Sequence, residues 1–488
     1  MTDTNRRQVF QSTAGVLLAG LGITDSIPAR SAEVFSSSQK ISSVEPVTKI
    51  LAQFAAKANA DQVPASVKKE ATRTLLNWVG CAVGGSRQDA TNRAVKALQE
   101  FSGPAKANLL GRSEKFDILN AALINGISSH VLDYDDTHLK TIIHPAGPVA
   151  SALLALSQHR PTTGREFMNA LVIGCEIECR LGNAVYPDHY AKGWHITGTT
   201  GVFGAATAAG RLLGLDETNM VHAIGIAASQ PVGLKVQFGS DTKSFHPGKA
   251  AQNGLLAALL AEKGFTASTV ALEGFDGWGQ AVSTKQDWTE VTSDLGQRYE
   301  LGLNTYKPFA CGIVAHPSID AAIELHNQHH VNPDQIEAIE VKVHPLVLNL
   351  MGKTEPRTGL ESKFSIYHAI AISLITGRGG EQAFTDSAAQ NAQVINLRKK
   401  IKVVVDPAIK ADQADMRIVQ KNGDVLHQFI EHAVGSQNHP MSDAQLEDKF
   451  NGLTEGILKP EQSHQLINLC WRVWELENPS LIATNAAV

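Results

Sequence analysis

Apolar residues recur at helical spacing along most of the chain. From Pro46 to about Gly264 the pattern is helical nearly throughout. Pro64-Ala65-Ser66-Val67 opens one helix, with proline in the first turn, where its missing N–H costs nothing. Its apolar positions continue through Leu75, Leu76, Trp78 and Val79, and Gly84-Gly85 stops it. The same spacing predicts helices over 89–101, 116–132, 146–158, 165–186, 197–213, 217–229 and 247–263, with no strand signal between them.

The period changes near residue 300. Residues 335–343 alternate with period two and read as a strand, and Ile401 to Val405 reads as a second. Met416 to Val419 and Val425 to Ile430 flank Lys421-Asn422-Gly423-Asp424, a hairpin signal carried by Asn-Gly. Helices are expected at 317–329 and 364–376, and again over 442–450 and 460–476. The fold class is therefore mainly α: a large all-α helical domain with a smaller inserted α+β lid domain. The expected boundaries are 45–300 plus 441–480 for the first and 301–440 for the second.

Composition fits a folded protein with a sizeable core: 43% apolar and 19% charged residues among 488. A net charge of −5, with no basic stripe, argues against nucleic acid as a partner. No apolar run beyond the N-terminus reaches the roughly 18 residues that span a bilayer. The five cysteines are odd in number, and Cys175 and Cys179, one helical turn apart, are poorly placed for a disulfide. They read as buried thiols. Residues 1–31 are set apart from the fold. Asn5-Arg6-Arg7-Gln8-Val9-Phe10 precedes a mild apolar stretch and Ala29-Arg30-Ser31, which resembles a twin-arginine export signal. A periplasmic location is expected on that basis, with the cytoplasm as the alternative.

Candidate chemistry concentrates in one run, residues 133–145, which gathers Asp133, Asp135, Asp136, Thr137, His138 and His144 directly after an apolar helix. Elsewhere a histidine precedes the expected start of a helix four times, at His144-Pro145, His195-Ile196, His246-Pro247 and His316-Pro317. Each would set an imidazole beside free N–H groups at a positive helix end, an anion site. Lys243 adds a cation three residues before His246. Removing a proton beside a carboxylate needs a near-neutral base and several cations or donors, and this set supplies both. A metal site built from Asp133, Asp135, His138 and His144 is the competing use of the run, but no paired ligand motif supports it. Nucleophile-elbow, phosphate-loop and dinucleotide motifs are absent from the sequence.

The order of these motifs carries a resemblance. Leu132 to His138 with His144-Pro145, Gly193-Trp194-His195, Thr242 to His246 with Gly248-Lys249-Ala250-Ala251, Tyr306-Lys307-Pro308-Phe309, His316-Pro317 and Lys363-Phe364-Ser365 together resemble the MmgE/PrpD family over about residues 45–480. The resemblance implies a helical domain with a lid, a homodimer, and chemistry on di- or tricarboxylates without metal or other cofactor. It implies that Asp133, Thr137, His144, His195, Lys243 and Lys307 line the pocket. His195 and Lys243 are the expected proton-transfer pair and Asp133 the group that orients His144 or a neighbour. Thr137, His246 and Lys307 are expected to bind substrate carboxylates. A lyase is expected first, an epimerase or isomerase with the same residues second, and an exported carboxylate-binding protein without turnover third. In the family's cis-aconitate decarboxylases a histidine follows the lysine at the lid boundary by five residues, and Gly312 stands there in this chain.

Overall fold

The computed structural model describes residues 45–488. The export-signal reading of residues 1–31 lies outside them. The helical part contains α1 (Val47–Lys57), α2 (Ala65–Gly84), α3 (Asp89–Leu98), α4 (Ile118–His130), α5 (Ala146–Ser157), α6 (Gly164–Val185), α7 (Asp188–Ala191), α8 (Ile196–Leu212), α9 (Glu217–Ala227), α10 (Asp241–Glu262), α11 (Trp278–Val282) and α12 (Thr289–Thr292). Two small strand pairs were not signalled by alternation, because each strand is only two residues long: β1 (Ala107–Asn108) with β2 (Lys115–Phe116), and β3 (Thr137–His138) with β4 (Asn304–Thr305). The second pair matters, since it ties the acidic run to the segment that carries Lys307.

After β4 come α13 (His316–His329), β5 (Ile336–Val343), α14 (Leu346–Met351), α15 (Gly359–Ser362), α16 (Ile366–Thr376), α17 (Asp386–Ala389) and α18 (Ala392–Arg398). The chain continues through β6 (Ile401–Val405), β7 (Ala414–Gln420) and β8 (Val425–Ile430). The strands form one sheet in the order β6-β5-β7-β8, parallel between β5 and β6 and antiparallel elsewhere. Gly423 sits at φ +91° in the β7–β8 turn, which only glycine adopts without strain. Ile339, Val341, Met416 and Ile418 turn one sheet face towards Ile319 and Leu325 of α13 and Ile370 and Leu374 of α16. The chain ends in α19 (Asp443–Thr454), α20 (Pro460–Trp471) and α21 (Ser480–Asn485), whose Phe450, Leu466 and Ile467 share a core with Leu75, Leu76 and Trp78 of α2.

Small residues let the site-bearing helices approach closely. A Cβ on Gly126 of α4 would lie 2.4 Å from the Cα of Gly248 in α10, and one on Gly248 would lie 2.3 Å from the Leu123 carbonyl. The backbones of α4 and α10 therefore touch, next to His130 on one and His246 on the other. One expectation fails here. The helix predicted over 247–263 starts at Asp241, and Pro247 lies inside it. Proline commonly marks a first turn, so the sequence reading placed the boundary one and a half turns late. Lys243 and His246 are thus helical residues, and Lys243 is buried rather than lying ahead of the helix.

A buried ion network fixes the loop that follows α12. The Arg180 guanidinium donates to Glu176 Oε1 at 2.6 Å and to the Val291, Ser293 and Arg298 carbonyls at 2.9, 2.8 and 2.7 Å. Glu176 Oε2 accepts the Glu300 N–H, and Glu300 accepts from His138. All five cysteines are free and buried, and among the described residues no helix is long and apolar enough to cross a membrane.

The glycine contact gives a first prediction. Gly126→Ala forces α4 and α10 apart and should cost roughly 1–3 kcal/mol. Thermal denaturation should show the loss. An unchanged melting temperature would mean that the helices do not meet at these glycines.

Candidate active site

Three imidazoles and two ammonium groups surround one carboxylate where α4, α8 and α10 converge. After α4 ends at His130 the chain turns sharply, and Asp133 takes φ +52°. Ile142 takes φ +62°, which a β-branched residue adopts only when its surroundings over-determine it. Both strained residues line the same cleft, whose cavity volume is about 40 Å³.

Asp133 Oδ1 accepts from Lys243 Nζ at 2.6 Å and Lys307 Nζ at 2.8 Å, and Lys307 also donates to the Asp133 carbonyl. Burial alone would raise the Asp133 pKa, but the two ammonium groups outweigh it and hold the carboxyl well below the usual range. The lysines differ. Burial lowers Lys243 by more than Asp133 raises it, whereas burial of Lys307 is outweighed by Asp133 and Asp135 together, which raise it. Lys307 is a fixed cation and Lys243 is the one that gives up a proton more readily. Phe238 and Phe364 lie 5.7 and 5.5 Å from the Lys243 ammonium, with their ring faces supplying attraction to its charged form.

The imidazoles are neutral and oriented. His130 Nδ1 lies 2.6 Å from Asp135 Oδ2, and His144 Nδ1 lies 2.7 Å from the Asp136 carbonyl. These oxygens accept only, so each Nδ1 carries the proton and each Nε2 is bare. His195 Nδ1 lies 2.9 Å from His246 Nδ1. Burial first, then neighbouring His246 and Lys243, push His195 well below an ordinary histidine, and burial brings His144 down to about 3 and His246 to about 4. Asp136 moves the other way, to about 7, through burial and the adjacent Asp135.

Five of the seven expected residues reach the cleft: Asp133, His144, His195, Lys243 and Lys307. Thr137 and His246 stand behind it. Thr137 lies in β3, fully buried, 3.3 Å from His144 Nδ1, and His246 backs His195. Of the partners expected for Asp133, the structure gives it Lys243 and Lys307, its neighbours in the cleft, and no hydrogen bond to His144. The carboxylate within 3.5 Å of that ring is Asp135, because the turn at Asp133 swings its side chain towards the lysines. The picture of open helix ends also changes. Asp136 Oδ2 accepts the Ala146 N–H at the start of α5, and His246 lies within a helix, so neither offers a free anion site. His316 starts α13 and packs on Phe309, away from the cleft wall. His138 is buried against Thr141 and Glu300.

Sequence reasoning missed His130, hidden at the end of an apolar helix, and two buried lysines. Lys363 donates to the Leu132 and Ala310 carbonyls at 2.6 and 2.8 Å. Lys449 donates to Asn77 Oδ1 and to the Tyr134 and Lys307 carbonyls at 2.7, 2.6 and 2.8 Å. Two sets of side chains have donor atoms close enough to hold a metal ion: His130, His144 and His195, or Asp133, Asp135 and His144. His138 belongs to neither.

The comparisons with known proteins agree with the order of these residues along the chain. The model of the MmgE/PrpD N-terminal domain matches residues 49–291, and that of the MmgE/PrpD C-terminal domain matches residues 309–473. Cis-aconitate decarboxylase of Aspergillus terreus is 25% identical over 454 residues, covering 87% of this chain and 92% of that protein. Cis-aconitate decarboxylase of Mus musculus is 25% identical over 434 residues, covering 85% and 88%. 2-Methylcitrate dehydratase of Escherichia coli (strain K12) is 23% identical over 367 residues, covering 70% and 74%. With both domain models matched in order around a single cleft, the chain belongs to the MmgE/PrpD family.

Proposed function

We propose that this protein is a lyase acting on a di- or tricarboxylic acid, which removes an α-proton with loss of water or releases carbon dioxide, using side chains alone. One observation carries the reading: a buried ionised carboxylate shared by two ammonium groups, beside neutral imidazoles in one cleft. The relatives that act as decarboxylase and dehydratase support the lyase class.

In this reading two substrate carboxylates approach Lys307 and Lys243, one to each ammonium group. His195, kept neutral by burial and held by His246, accepts the α-proton. The charge that develops on the substrate carboxylate is met by ammonium groups already in place, which need no reorganisation. For loss of water, Lys243, the more acidic of the pair, gives its proton to the departing hydroxide as the α-proton goes to His195; for loss of CO2 the C–C bond breaks with its electron pair left on carbon, no α-proton is removed, and Lys243 supplies the one proton that carbon takes. Asp135 and Asp136 act through the imidazoles that they orient, and Thr137 does so through His144. The protein acts as a homodimer after export to the periplasm; these two points rest on the family resemblance and the arginine pair near the N-terminus.

The decisive experiment follows the α-proton signals of di- and tricarboxylates by NMR in D2O. Exchange with loss of water or CO2 is expected, unchanged by dialysis against a chelator. Inversion without loss would favour an epimerase, and binding without exchange would remove both enzymatic readings.

Substitution at the ion cluster separates chemistry from folding. Lys243→Ala should lower kcat/KM by roughly 10³-fold, while Asp133 keeps Lys307 and the fold persists. Asp133→Asn strands two buried ammonium groups and should cost about 3–5 kcal/mol in denaturant unfolding. Equal stabilities for the two variants would contradict the shared-carboxylate arrangement.

The pH profile follows from the shifts. His195 must be neutral to accept a proton, so activity falls only as pH drops through its lowered pKa, below the ordinary value of about 6.5. Lys243 must be charged, so the alkaline limb falls as pH rises through a pKa below about 10.5. A kcat/KM profile with its acid limb above pH 7 would contradict the assignment of His195 as base.

A further inference from the structure

The walls of the cleft divide by chemistry as well as by sequence. The helical part supplies Asp133, His144, His195 and Lys243, and the later segment supplies Lys307. Otherwise the later segment contributes only Gly312 and the apolar side chains of Ile313, Val314, Leu350, Met351 and Phe364. Ile142 and Phe238 extend this apolar surface across to the helical side, and Phe238 stacks on Phe364 with ring centroids 5.5 Å apart. No arginine lines the cleft, and Lys243 and Lys307 are its two cationic donors. Space beside Gly312 is already filled by sulfur, since a Cβ there would lie 2.4 Å from Met351 Sδ. A polar group at that point of the wall would have to displace Met351 from a fully buried position.

Beyond their bonds to Asp133 the ammonium groups keep two N–H donors on Lys243 and one on Lys307, enough for two carboxylates. A third carboxylate would face Ile313, Val314, Leu350 or Met351, where it would lose water and meet no cation, since Tyr190, the remaining residue of the cleft, brings a hydroxyl without charge. An apolar substituent placed there would instead bury carbon against carbon. Resting on the carboxylate-lyase reading above, we infer that the substrate is a dicarboxylate bearing an apolar alkyl or aryl substituent, not a tricarboxylate. The carboxylates sit at Lys243 and Lys307, and the substituent lies along the Ile313–Leu350–Met351 wall.

The test measures affinity by calorimetry, and α-proton exchange in D2O, for succinate, butylsuccinate, benzylsuccinate and the tricarboxylate tricarballylate. The full-length protein should bind butylsuccinate or benzylsuccinate at least fivefold more tightly than succinate, and more tightly than tricarballylate. A smaller gain, or tricarballylate as the tightest ligand, overturns the inference and leaves the lyase reading standing. Failure to bind or exchange any of the four acids strikes the lyase reading itself, and the inference with it. Leu350 is partly exposed in the wall, so Leu350→Asn tests the surface without emptying the core. It should shrink the butylsuccinate-to-succinate affinity ratio at least threefold while the protein still melts cooperatively. An unchanged ratio would place the substituent elsewhere and overturn the assignment.

Discussion

One carboxylate oxygen organises this molecule's centre. Asp133 Oδ1 receives both Lys243 and Lys307, which come from parts of the chain more than sixty residues apart. Taking three charged groups out of water is costly, and only their mutual attraction and full hydrogen bonding offset that cost. The arrangement therefore fixes the relation between the turn after α4, the first turns of α10 and the strand pair β3–β4. The left-handed backbone at Asp133 persists because this ion cluster holds it.

The cluster is held in turn by carbonyl oxygens. Lys363 and Lys449 have no carboxylate partner. They bind the carbonyls of Leu132, Tyr134, Lys307 and Ala310, the backbone on either side of the two catalytic candidates Asp133 and Lys307. Burial lowers both lysines to about 8, against the opposing pull of Asp133 on Lys363 and of Cys81 and Asp135 on Lys449. Burial is the first cause of the low basicity of His130, His144, His195 and His246, and the Lys243 ammonium adds to it at each of the four.

Long periodic elements were legible in the sequence. The helices now called α5, α6 and α8 begin and end within a residue of their expected limits, and the β7–β8 hairpin forms on Asn422-Gly423 as its turn chemistry requires. Most of the site was legible too, because Asp, His and Lys stand out against apolar helix ends. What escaped was local geometry. Nothing in the spacing tells that Asp133 turns left-handed and meets lysines while Asp135 meets imidazoles. Pro247 hid the true start of α10, since proline is common in first turns and tolerated further in when packing compensates. Two-residue strands such as β3 carry no period to read, and Lys449 looked like any exposed helical lysine until its helix was packed against α2.

Lys449 ties a late helix to the site without entering it. It lies in α19, none of whose residues lines the cleft, yet it holds the carbonyls of Tyr134 and Lys307. A change in how α19 packs against α2 would therefore reach the charged centre through the backbone, with every side chain of the cleft unaltered. Control of the cleft is in this sense exerted from outside its walls.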